Sequence, residues 1–454
     1  MKTSPKASSK KTPTLHHKDI TPLLQFLNAS PTAWHAVETV KNRLLNEGFT
    51  QLFEEELWKI NPSSSYFVIR NGSSLCAFTT PKLDPTTAHV VASHTDSPGF
   101  KLKPNAEFRK ENMLMFGVEV YGGPLITSWL NRDLGIAGRV VYTDAKGLIK
   151  EALVRIDESP VVIPQLAIHL DRQVNENGLL LNKQEHLAAL AGIFENEKNE
   201  TKKDASKSNS KFSYLEELLK KKIKYKQLLG SDLYLFPLEP AALIGNNQQM
   251  IAGYRIDNLN SVHASLEAFI TSRTPAKDHV INMIVMWDNE EIGSETAQGA
   301  GSPFLSHVLE RITLGLGMDR EDYLRLIRQS LCVSVDLSHA LHPNYVEKHE
   351  PQHRLLMDHG IVVKFNAQHR YASDARSVST IISLCEKNGV PVQKFATRGD
   401  IPSGSTIGPI HANRTGMPTL DIGCAQLSMH SCRELTSCQD YHYMKALLTA
   451  FFTT

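Results

Sequence analysis

With 454 residues, 41% of them hydrophobic, and a formal net charge of +1, the chain can bury one large core or two ordinary ones and has no electrostatic bias toward nucleic acid or membrane surfaces. No apolar run reaches the roughly 18 residues that span a bilayer, and the basic N-terminal segment lacks the apolar region of a secretory signal. We therefore expect a cytoplasmic protein with no nucleic-acid partner and no membrane partner. The six cysteines show no CxxC spacing, which argues against a thiolate zinc site or a disulfide framework.

The first predicted elements in chain order are helices, followed by strands. Residues 1–18 are rich in Lys, Ser, Thr and Pro and are predicted to be disordered. Two amphipathic helices follow, the first capped by Asp19 or Thr21 and the second by Thr32. Apolar runs then predict strands at 65–70, 75–80 and 89–94.

The segment 96–245 is rich in short β-type runs and has few helical patterns, so it is predicted to be an inserted β-rich domain. Its exposed strand edges suggest that it pairs subunits. The catalytic domain would then be discontinuous, with residues 19–95 and 246–454 on either side of the insertion. Within the insertion, 195–211 is polar and predicted to be a mobile loop, and 214–226 is predicted to be a solvated helix.

After residue 246, apolar strand patterns alternate with amphipathic helical patterns. The helical patterns lie at 259–269, 302–312, 319–331 and 375–389. This alternation predicts an α/β fold in which a three-layer α/β/α sandwich forms the catalytic domain.

Five side chains of metal-ligand type stand at or just beyond short apolar runs that are predicted to be buried strands. They are His94, Asp257, Glu291, Asp336 and His430. Polar groups at strand ends are where α/β enzymes keep their chemistry. Two imidazoles and three carboxylates suit a pair of divalent ions such as Zn²⁺, Mn²⁺ or Co²⁺, because three carboxylates and a bridging hydroxide balance the charge of two dications.

The neighbours of these donors supply the other groups that a hydrolase needs. Glu290 directly precedes Glu291, so if one side chain reaches a metal, the other can face a bound water as a general base. Asp96 lies two residues beyond His94, on the same side if the strand continues, where its carboxylate can hold the second imidazole nitrogen. Each motif alone is a weak indication, because solvated turns have similar sequences. The combination of five strand ends is stronger.

In nine segments the chain resembles the M18 family of metalloaminopeptidases, which includes aspartyl aminopeptidase. Among these segments are SHTDSPGFKLKP at 93–104, DNEEIGSETAQGA at 288–300 and LDIGCAQLSMHSCRE at 420–434. The resemblance runs in the family's order from about residue 20 to the C-terminus. It implies a dinuclear zinc exopeptidase with an α/β/α catalytic domain, which removes N-terminal residues and assembles as a dodecamer built from dimers.

The resemblance also implies the role of each candidate residue. One metal would be held by His94, Asp257 and Asp336, and the other by Asp257, Glu291 and His430. Asp257 would bridge the two ions, and Glu290 matches the family's catalytic base.

Further side chains are candidates for substrate binding. By the resemblance, His169 in the insertion is a candidate to complete the active site of a neighbouring subunit; otherwise it is an ordinary histidine. His342 is a candidate to line the cleft. Lys364 ends an apolar strand, where a cation has little structural purpose, so we expect it to face the substrate. The backbone N–H groups of Gly404 and Ser405 are candidates to hold a substrate carbonyl.

The expected specificity depends on Lys364. An ammonium in the pocket for the N-terminal residue would favour Asp or Glu through a charge-assisted hydrogen bond. If Lys364 instead binds a backbone group, neutral residues such as Leu would be cleaved as well or better.

Three other functions remain open from the residues. The first is a related two-metal amidohydrolase or deacylase, which would share every ligand. The second is a non-enzymatic assembly module that keeps the fold. The third is a Cys-dependent hydrolase that uses Cys424 or Cys432 with His430.

Overall fold

The computed structural model describes residues 20–193, 213–273 and 277–454. Within these ranges it contains ten α-helices and twenty β-strands. The helices are α1 Thr21–Ala29, α2 Ala33–Asn46, α3 Val174–Asn177, α4 Tyr214–Lys222, α5 Ile256–Thr271, α6 Phe304–Gly315, α7 Arg320–Gln329, α8 Ala375–Lys387, α9 Ile407–Thr415 and α10 Cys438–Phe452. The first ten strands are β1 Thr50–Leu52, β2 Ser65–Arg70, β3 Ser74–Thr79, β4 Thr87–His94, β5 Gly99–Lys110, β6 Met113–Tyr121, β7 Leu134–Thr143, β8 Ile149–Val161, β9 Ala189–Ile193 and β10 Gln227–Pro237. The others are β11 Ala242–Ile244, β12 Met250–Gly253, β13 Val280–Trp287, β14 Leu331–Val335, β15 Ser338–His339, β16 Ile361–Phe365, β17 Val392–Ala396, β18 Thr419–Gly423, β19 Ala425–Leu427 and β20 Glu434–Ser437.

A nine-stranded mixed sheet in the order β1-β2-β3-β13-β4-β14-β18-β16-β17 forms the centre of the molecule. Its four middle strands, β13, β4, β14 and β18, run parallel to one another. They are short, apolar and buried, as expected for parallel strands that are covered on both faces. The carboxyl ends of these strands therefore meet at one edge of the sheet.

Helices cover both faces of this sheet because alternate residues of each strand point to opposite sides. In β4, Val91 belongs to the core that includes α1, α2, α5, α8 and α10. Its neighbours Val90 and Ala92 belong to the core beneath α6, α7 and α9. The result is a three-layer α/β/α arrangement, which confirms the predicted α/β fold.

Two smaller sheets are built from the rest of the chain. A six-stranded antiparallel sheet, in the order β8-β7-β10-β5-β6-β9, has its own hydrophobic core with α4. All of its strands come from the part of the chain between β4 and β11. A five-stranded sheet, in the order β11-β12-β20-β19-β15, lies beside the carboxyl edge of the central sheet. The division of the chain into domains at residues 96 and 245 remains a prediction.

The helix ends differ in part from the sequence expectations. The Thr32 hydroxyl accepts the His35 N–H at the start of α2, as predicted. Thr21 is wrong as a cap, because it is the first residue of α1 and the preceding Ile20 makes no side-chain capping bond. Helix α4 ends at Lys222, four residues before the predicted end, since the chain is needed for strand β10. Asp19, the tail 1–18 and the loop 195–211 lie outside the described residues.

Candidate metal centre

The carboxyl edge of the central sheet brings two of the predicted donors to one level. His94 is the last residue of β4 and is paired with Trp287, the last residue of β13. On the other side of β4, Ser334 of β14 is paired with Ala92, so Asp336 lies level with His94. The His94 Nε2 atom and the Asp336 Oδ1 atom are 3.5 Å apart. Parallel register therefore explains why donors 242 residues apart in sequence meet.

Asp257 lies between the two histidines. It is buried near the start of α5, where the backbone is not yet helical. Its Oδ1 atom is 3.4 Å from the Nε2 atom of His94, and its Oδ2 atom is 3.6 Å from the Nε2 atom of His430. One carboxylate thus offers one oxygen to each imidazole, which is the arrangement needed to bridge two ions.

Glu291 completes a second group of donors. Its Oε1 atom is 3.4 Å from the Nε2 atom of His430. The possible ligand atoms of Asp257, Glu291 and His430 all lie within 4.8 Å of one another, and so do those of His94, Asp257 and Asp336. A third combination meets the same criterion, and its members are His94, Glu290 and Glu291.

The chemistry of this cluster fits divalent ions. The Oδ1 atoms of Asp257 and Asp336 are buried and have no hydrogen-bond partner, and a buried carboxylate oxygen without a partner is costly. The Nδ1 atom of His94 lies 3.1 Å from the Asp96 carbonyl oxygen, and that of His430 lies 3.0 Å from the Gly123 carbonyl oxygen. Because both Nδ1 atoms are engaged, the two Nε2 atoms are free to bind metal. Oxygen and nitrogen donors in this number suit zinc.

Asp96 is placed differently from the sequence expectation, although it does reach His94. Strand β4 ends at His94, so the chain turns before Asp96 and the two side chains do not share a strand face. The Asp96 carboxylate lies 3.4 Å from the His94 Nδ1 atom and accepts the Tyr121 hydroxyl at 2.7 Å. It also accepts the backbone N–H groups of Glu290 and Glu291, each at 3.1 Å. Asp96 therefore holds one donor and the glutamate pair in a fixed relation.

Burial and charge shift the protonation of the paired glutamates, which stand on a short 3-10 helix after β13. Burial, reinforced by the charges of Asp336, Asp96 and Asp257, raises the pKa of Glu290 to about 8, although His94 opposes the shift. Burial likewise raises the pKa of Glu291 well above its usual value. In the absence of cations, this cluster holds more negative groups than it can ionise.

The two histidines respond in the opposite sense. Burial alone would lower the pKa of each imidazole, but the surrounding carboxylates outweigh it. The pKa of His94 lies well above its usual value, and that of His430 rises to about 10. Without metal, the protons on these imidazoles partly replace the missing positive charge.

Glu434 is a residue of the site that the sequence analysis missed. It is buried, and its two carboxylate oxygens accept the backbone N–H groups of Asp257 and His430. Burial and repulsion by Asp257 raise its pKa to about 8. Its position four residues after His430, inside a segment that resembles the M18 family, was the only sequence signal that could have identified it.

Lys364 is almost entirely buried, and its role in binding substrate remains a prediction. Its side chain is only 3% exposed. The Nζ atom donates to the Leu337 carbonyl oxygen at 2.7 Å and lies 3.4 Å from Asp336 Oδ2. The cation therefore neutralises and orients Asp336. The sequence cannot show this contact, because it joins strand β16 to the end of strand β14 across the intervening strand β18.

A cavity of about 250 Å³ opens beside Lys364. Its lining includes His339, Tyr371, Arg398 and Gly404, and the Lys364 Nζ atom lies 5.5 Å from the centre of the Tyr371 ring. The walls around His339 lower its pKa, and the Lys364 cation adds to that effect. Gly404 therefore lines a cavity next to Lys364, and its role in binding substrate remains a prediction.

Buried Asp421 fixes two loops that form this cavity. Its Oδ1 atom accepts the Thr406 hydroxyl at 2.7 Å, and its Oδ2 atom accepts the Ala372 N–H at 2.6 Å. Thr406 follows the loop that contains Gly404, and Ala372 follows Tyr371. Asp421 thus connects both walls of the cavity to the central sheet.

Three other predicted substrate-binding residues have different surroundings. His342 packs on Tyr345, and its hydrogen bonds are made to Asn344 and His349. It makes none of these contacts with a candidate metal ligand. The exposed Ser405 hydroxyl donates to the Arg370 carbonyl oxygen. His169 is exposed in a turn of the segment between β8 and β9. Within this chain, none of these contacts joins them to the donor cluster.

The cysteines do not supply a nucleophile. All six are buried and free. Burial raises the pKa of Cys424 well above its usual value and also raises that of Cys432, whose thiol donates to the Ser128 carbonyl oxygen. Because the thiolate is the reactive form, these environments argue against a Cys-dependent hydrolase.

An α/β fold whose strand-end donors and adjacent carboxyl groups converge in this way defines a metal-dependent hydrolase. The family described as "Aminopeptidase I zinc metalloprotease (M18)" matches residues 26–452. The chain therefore belongs to the M18 family, and it is a metalloaminopeptidase that hydrolyses the N-terminal peptide bond of its substrates.

Relatives match nearly the whole chain. It is 38% identical over 436 residues to the probable M18 family aminopeptidase 2 of Clostridium acetobutylicum, covering 95% of this chain and 97% of that protein. It is 39% identical over 465 residues to the probable aspartyl aminopeptidase of Ricinus communis, covering 95% of this chain and 94% of that protein.

Solved structures agree with this assignment. The structure of the Ape4 and Nbr1 complex superposes with a TM-score of 0.89 at 37% identity, covering 95% of this chain and 84% of that chain. The mApe1 dodecamer of S. cerevesiae superposes with a TM-score of 0.81 at 27% identity, and the match covers 96% of each chain. Among the helices of the described ranges, none is long and apolar enough to cross a membrane.

Proposed function

We propose that the active site holds two divalent ions, most naturally Zn²⁺, with Mn²⁺ or Co²⁺ as substitutes. The observation that carries this proposal is the position of Asp257, whose two oxygens face two different imidazoles. His94 and Asp336 complete one site, and Glu291 and His430 complete the other. Five ligand residues, of which Asp257 is shared between the two sites, exceed what a single tetrahedral ion needs.

Bound ions would supply Lewis acidity for the scissile carbonyl and would lower the pKa of an attacking water. The protein's own groups handle the protons. Glu290 takes a proton from the attacking water and returns it to the leaving amine. The pKa of Glu290, which burial raises to about 8, supports this role, because a proton carrier should have a pKa near neutral pH. Asp96 fixes the backbone of Glu290 against His94.

The test is a comparison of metal content with aminopeptidase activity. Purified protein should contain close to two ions per chain, lose activity in chelator, and regain it with Zn²⁺, Mn²⁺ or Co²⁺. Full activity after verified removal of all metal would overturn the proposal. A two-metal deacylase would instead cleave N-acyl amino acids and leave aminoacyl substrates intact, so both classes are assayed with the same preparation.

We further propose a modest preference for N-terminal Asp or Glu. Burial opposes the charge on Lys364, but the charges of Asp336, Tyr371, Asp421 and Asp257 together outweigh it and raise the pKa, so the ammonium stays charged. Lys348 and Arg398 add positive charge to the lining of the neighbouring cavity. The name of the relative from Ricinus communis is consistent with this preference.

One observation favours the competing preference for neutral residues such as Leu. Lys364 already donates to Leu337 and pairs with Asp336, so its charge is partly used. The deciding measurement is kcat/KM for Asp-, Glu- and Leu-peptides in wild type and Lys364→Met, with zinc content measured in parallel. Loss of the acidic preference in Lys364→Met at normal zinc content supports the proposal. A wild-type enzyme that prefers Leu refutes it.

We also propose that residues 96–245 form a domain that pairs subunits, and that twelve chains assemble from dimers. The segment between β8 and β9 exposes several large apolar side chains. Monomeric proteins rarely expose large apolar patches, so this segment is a candidate subunit interface. Leu170 is 74% exposed and Leu180 is 88% exposed. His169 lies within this segment and would reach the cleft of a neighbouring subunit. The dodecamer of a structural relative supports this assembly. The cytoplasmic location remains a prediction.

A further inference from the structure

Glu434 connects two donor residues that are far apart in the sequence. It is the first residue of β20, and its side chain is buried with 1% exposure. Its Oε1 atom accepts the backbone N–H of His430 at 2.6 Å, and its Oε2 atom accepts the backbone N–H of Asp257 at 2.9 Å. Both oxygens of one carboxylate are therefore used to hold the main chain of two donors.

The backbone N–H groups of these two metal ligands need a hydrogen-bond acceptor from another part of the chain. His430 has a φ of +66°, in the left-handed region, and lies in the loop between β19 and β20. Asp257 lies in the irregular first turn of α5, where backbone N–H groups have no partner within the helix. A carboxylate that accepts both N–H groups fixes the distance between the loop and the helix.

We propose that Glu434 is a positioning residue that sets the separation of Asp257 and His430, and thereby the affinity of the site these residues form with Glu291. Glu434 acts through the backbone and does not itself bind metal. This inference rests on the proposed two-metal site. The other site shares Asp257 but not His430, so it depends on Glu434 less.

The chemistry of the contact identifies the informative substitution. A glutamine at position 434 has the same shape, but the NH₂ group of its amide donates hydrogen bonds and cannot accept one from a backbone N–H. Whichever way the amide is turned, Glu434→Gln loses one of the two bonds. Glu434→Asp keeps the charge but is shorter by one methylene, so it cannot reach both N–H groups. Both variants should weaken the same site.

Asp440 provides a matched control. It is also buried, and its two oxygens accept the backbone N–H groups of Asp358 at 2.7 Å and Gly360 at 2.8 Å. It stands at the start of α10, and none of its backbone partners is a donor of the metal cluster. Asp440→Asn therefore removes a similar pair of bonds without touching the donors.

The experiment measures Zn²⁺ alone, without reference to activity. Zinc stoichiometry and dissociation constants are determined for full-length wild type, Glu434→Gln, Glu434→Asp and Asp440→Asn by competition with a chromophoric chelator. We expect one of the two ions to bind about 10- to 100-fold more weakly in both Glu434 variants, as for other groups that orient ligands. Asp440→Asn should bind both ions as wild type does, with a comparable loss of thermal stability.

The possible outcomes separate this inference from the proposed function. Wild type that binds fewer than two zinc ions would refute the two-metal proposal itself. Wild type that binds two, with Glu434 variants that bind them equally tightly, would refute only the role of Glu434. If both Glu434 variants fail to fold while Asp440→Asn folds, Glu434 is a determinant of the fold rather than a positioning residue, and the inference is rejected.

Discussion

Removal and return of metal should move protons, because the metal-free cluster is protonated at neutral pH. His94 and His430 carry raised pKa values owing to their carboxylate neighbours, and Glu291 carries a raised pKa owing to burial. At pH 7 the His430 imidazole, with a pKa of about 10, is protonated in the folded, metal-free protein. A ligand must lose its proton before it binds metal. We therefore expect the return of zinc at pH 7 to release at least one proton per chain, from His430.

The magnitude follows from the pKa values. His430, with a pKa of about 10, lies three units above pH 7, so its deprotonation costs about 4 kcal/mol at about 1.36 kcal/mol per unit. Each released proton should strengthen total zinc binding about tenfold for every unit of pH. The folding stability of the metal-free protein depends on pH in the opposite direction, so it falls as the pH rises. Its raised pKa values contribute stability at low pH, and this contribution is lost as the pH rises through the folded-state values.

Isothermal titration of metal-free protein with Zn²⁺, in buffers of different ionisation enthalpy, counts the protons directly. Chelator competition at pH 6, 7 and 8 gives the pH dependence independently. The variant His430→Gln should release about one proton fewer, since it lacks this imidazole. Absence of proton release by wild type, or zinc binding that is independent of pH, would show that His430 is not protonated as we describe.

Three further predictions concern single side chains. Glu290→Gln should lose about 10²- to 10⁴-fold in turnover with zinc content unchanged, whereas Glu291→Gln should also lose zinc; equal zinc loss in both would refute the assigned roles. Asp421→Asn, which weakens the two bonds that fix the cavity walls, should raise KM more than it lowers kcat at unchanged zinc content; the opposite split would contradict its role. His169→Phe should be inactive alone but recover some activity when co-assembled with Asp257→Ala, and a fully active monomer by light scattering would exclude this role.

The strands could be predicted from the sequence because they are buried on both faces. The apolar runs 280–287, 331–335 and 419–423 coincide with β13, β14 and β18. Such runs can be recognised from the sequence alone, since burial on both sides makes most of their residues apolar. Helix ends are set by single contacts and were less predictable, as the absence of a side-chain cap on α1 shows.

The donors could be predicted for a related reason, but the residues that hold them could not. His94 and Asp336 stand out because polar side chains directly follow buried strands. Glu434 and Tyr121 have no such position, and their roles come from contacts with residues that are distant in sequence. The contact of Lys364 with Asp336 could not be predicted for the same reason, because Asp336 lies 28 residues away and faces Lys364 only in the folded protein.

Two carboxylates outside the proposed ligand set hold the backbone of the site. Asp96 accepts the N–H groups of Glu290 and Glu291, and Glu434 accepts those of Asp257 and His430. Backbone hydrogen bonds of this kind do not require a metal, so they keep the donors together even when their charges repel. These hydrogen bonds preorganise the metal ligands against the mutual repulsion of their negative charges. That preorganisation is what allows the binding energy of the ions to be used for affinity rather than for assembling the ligands.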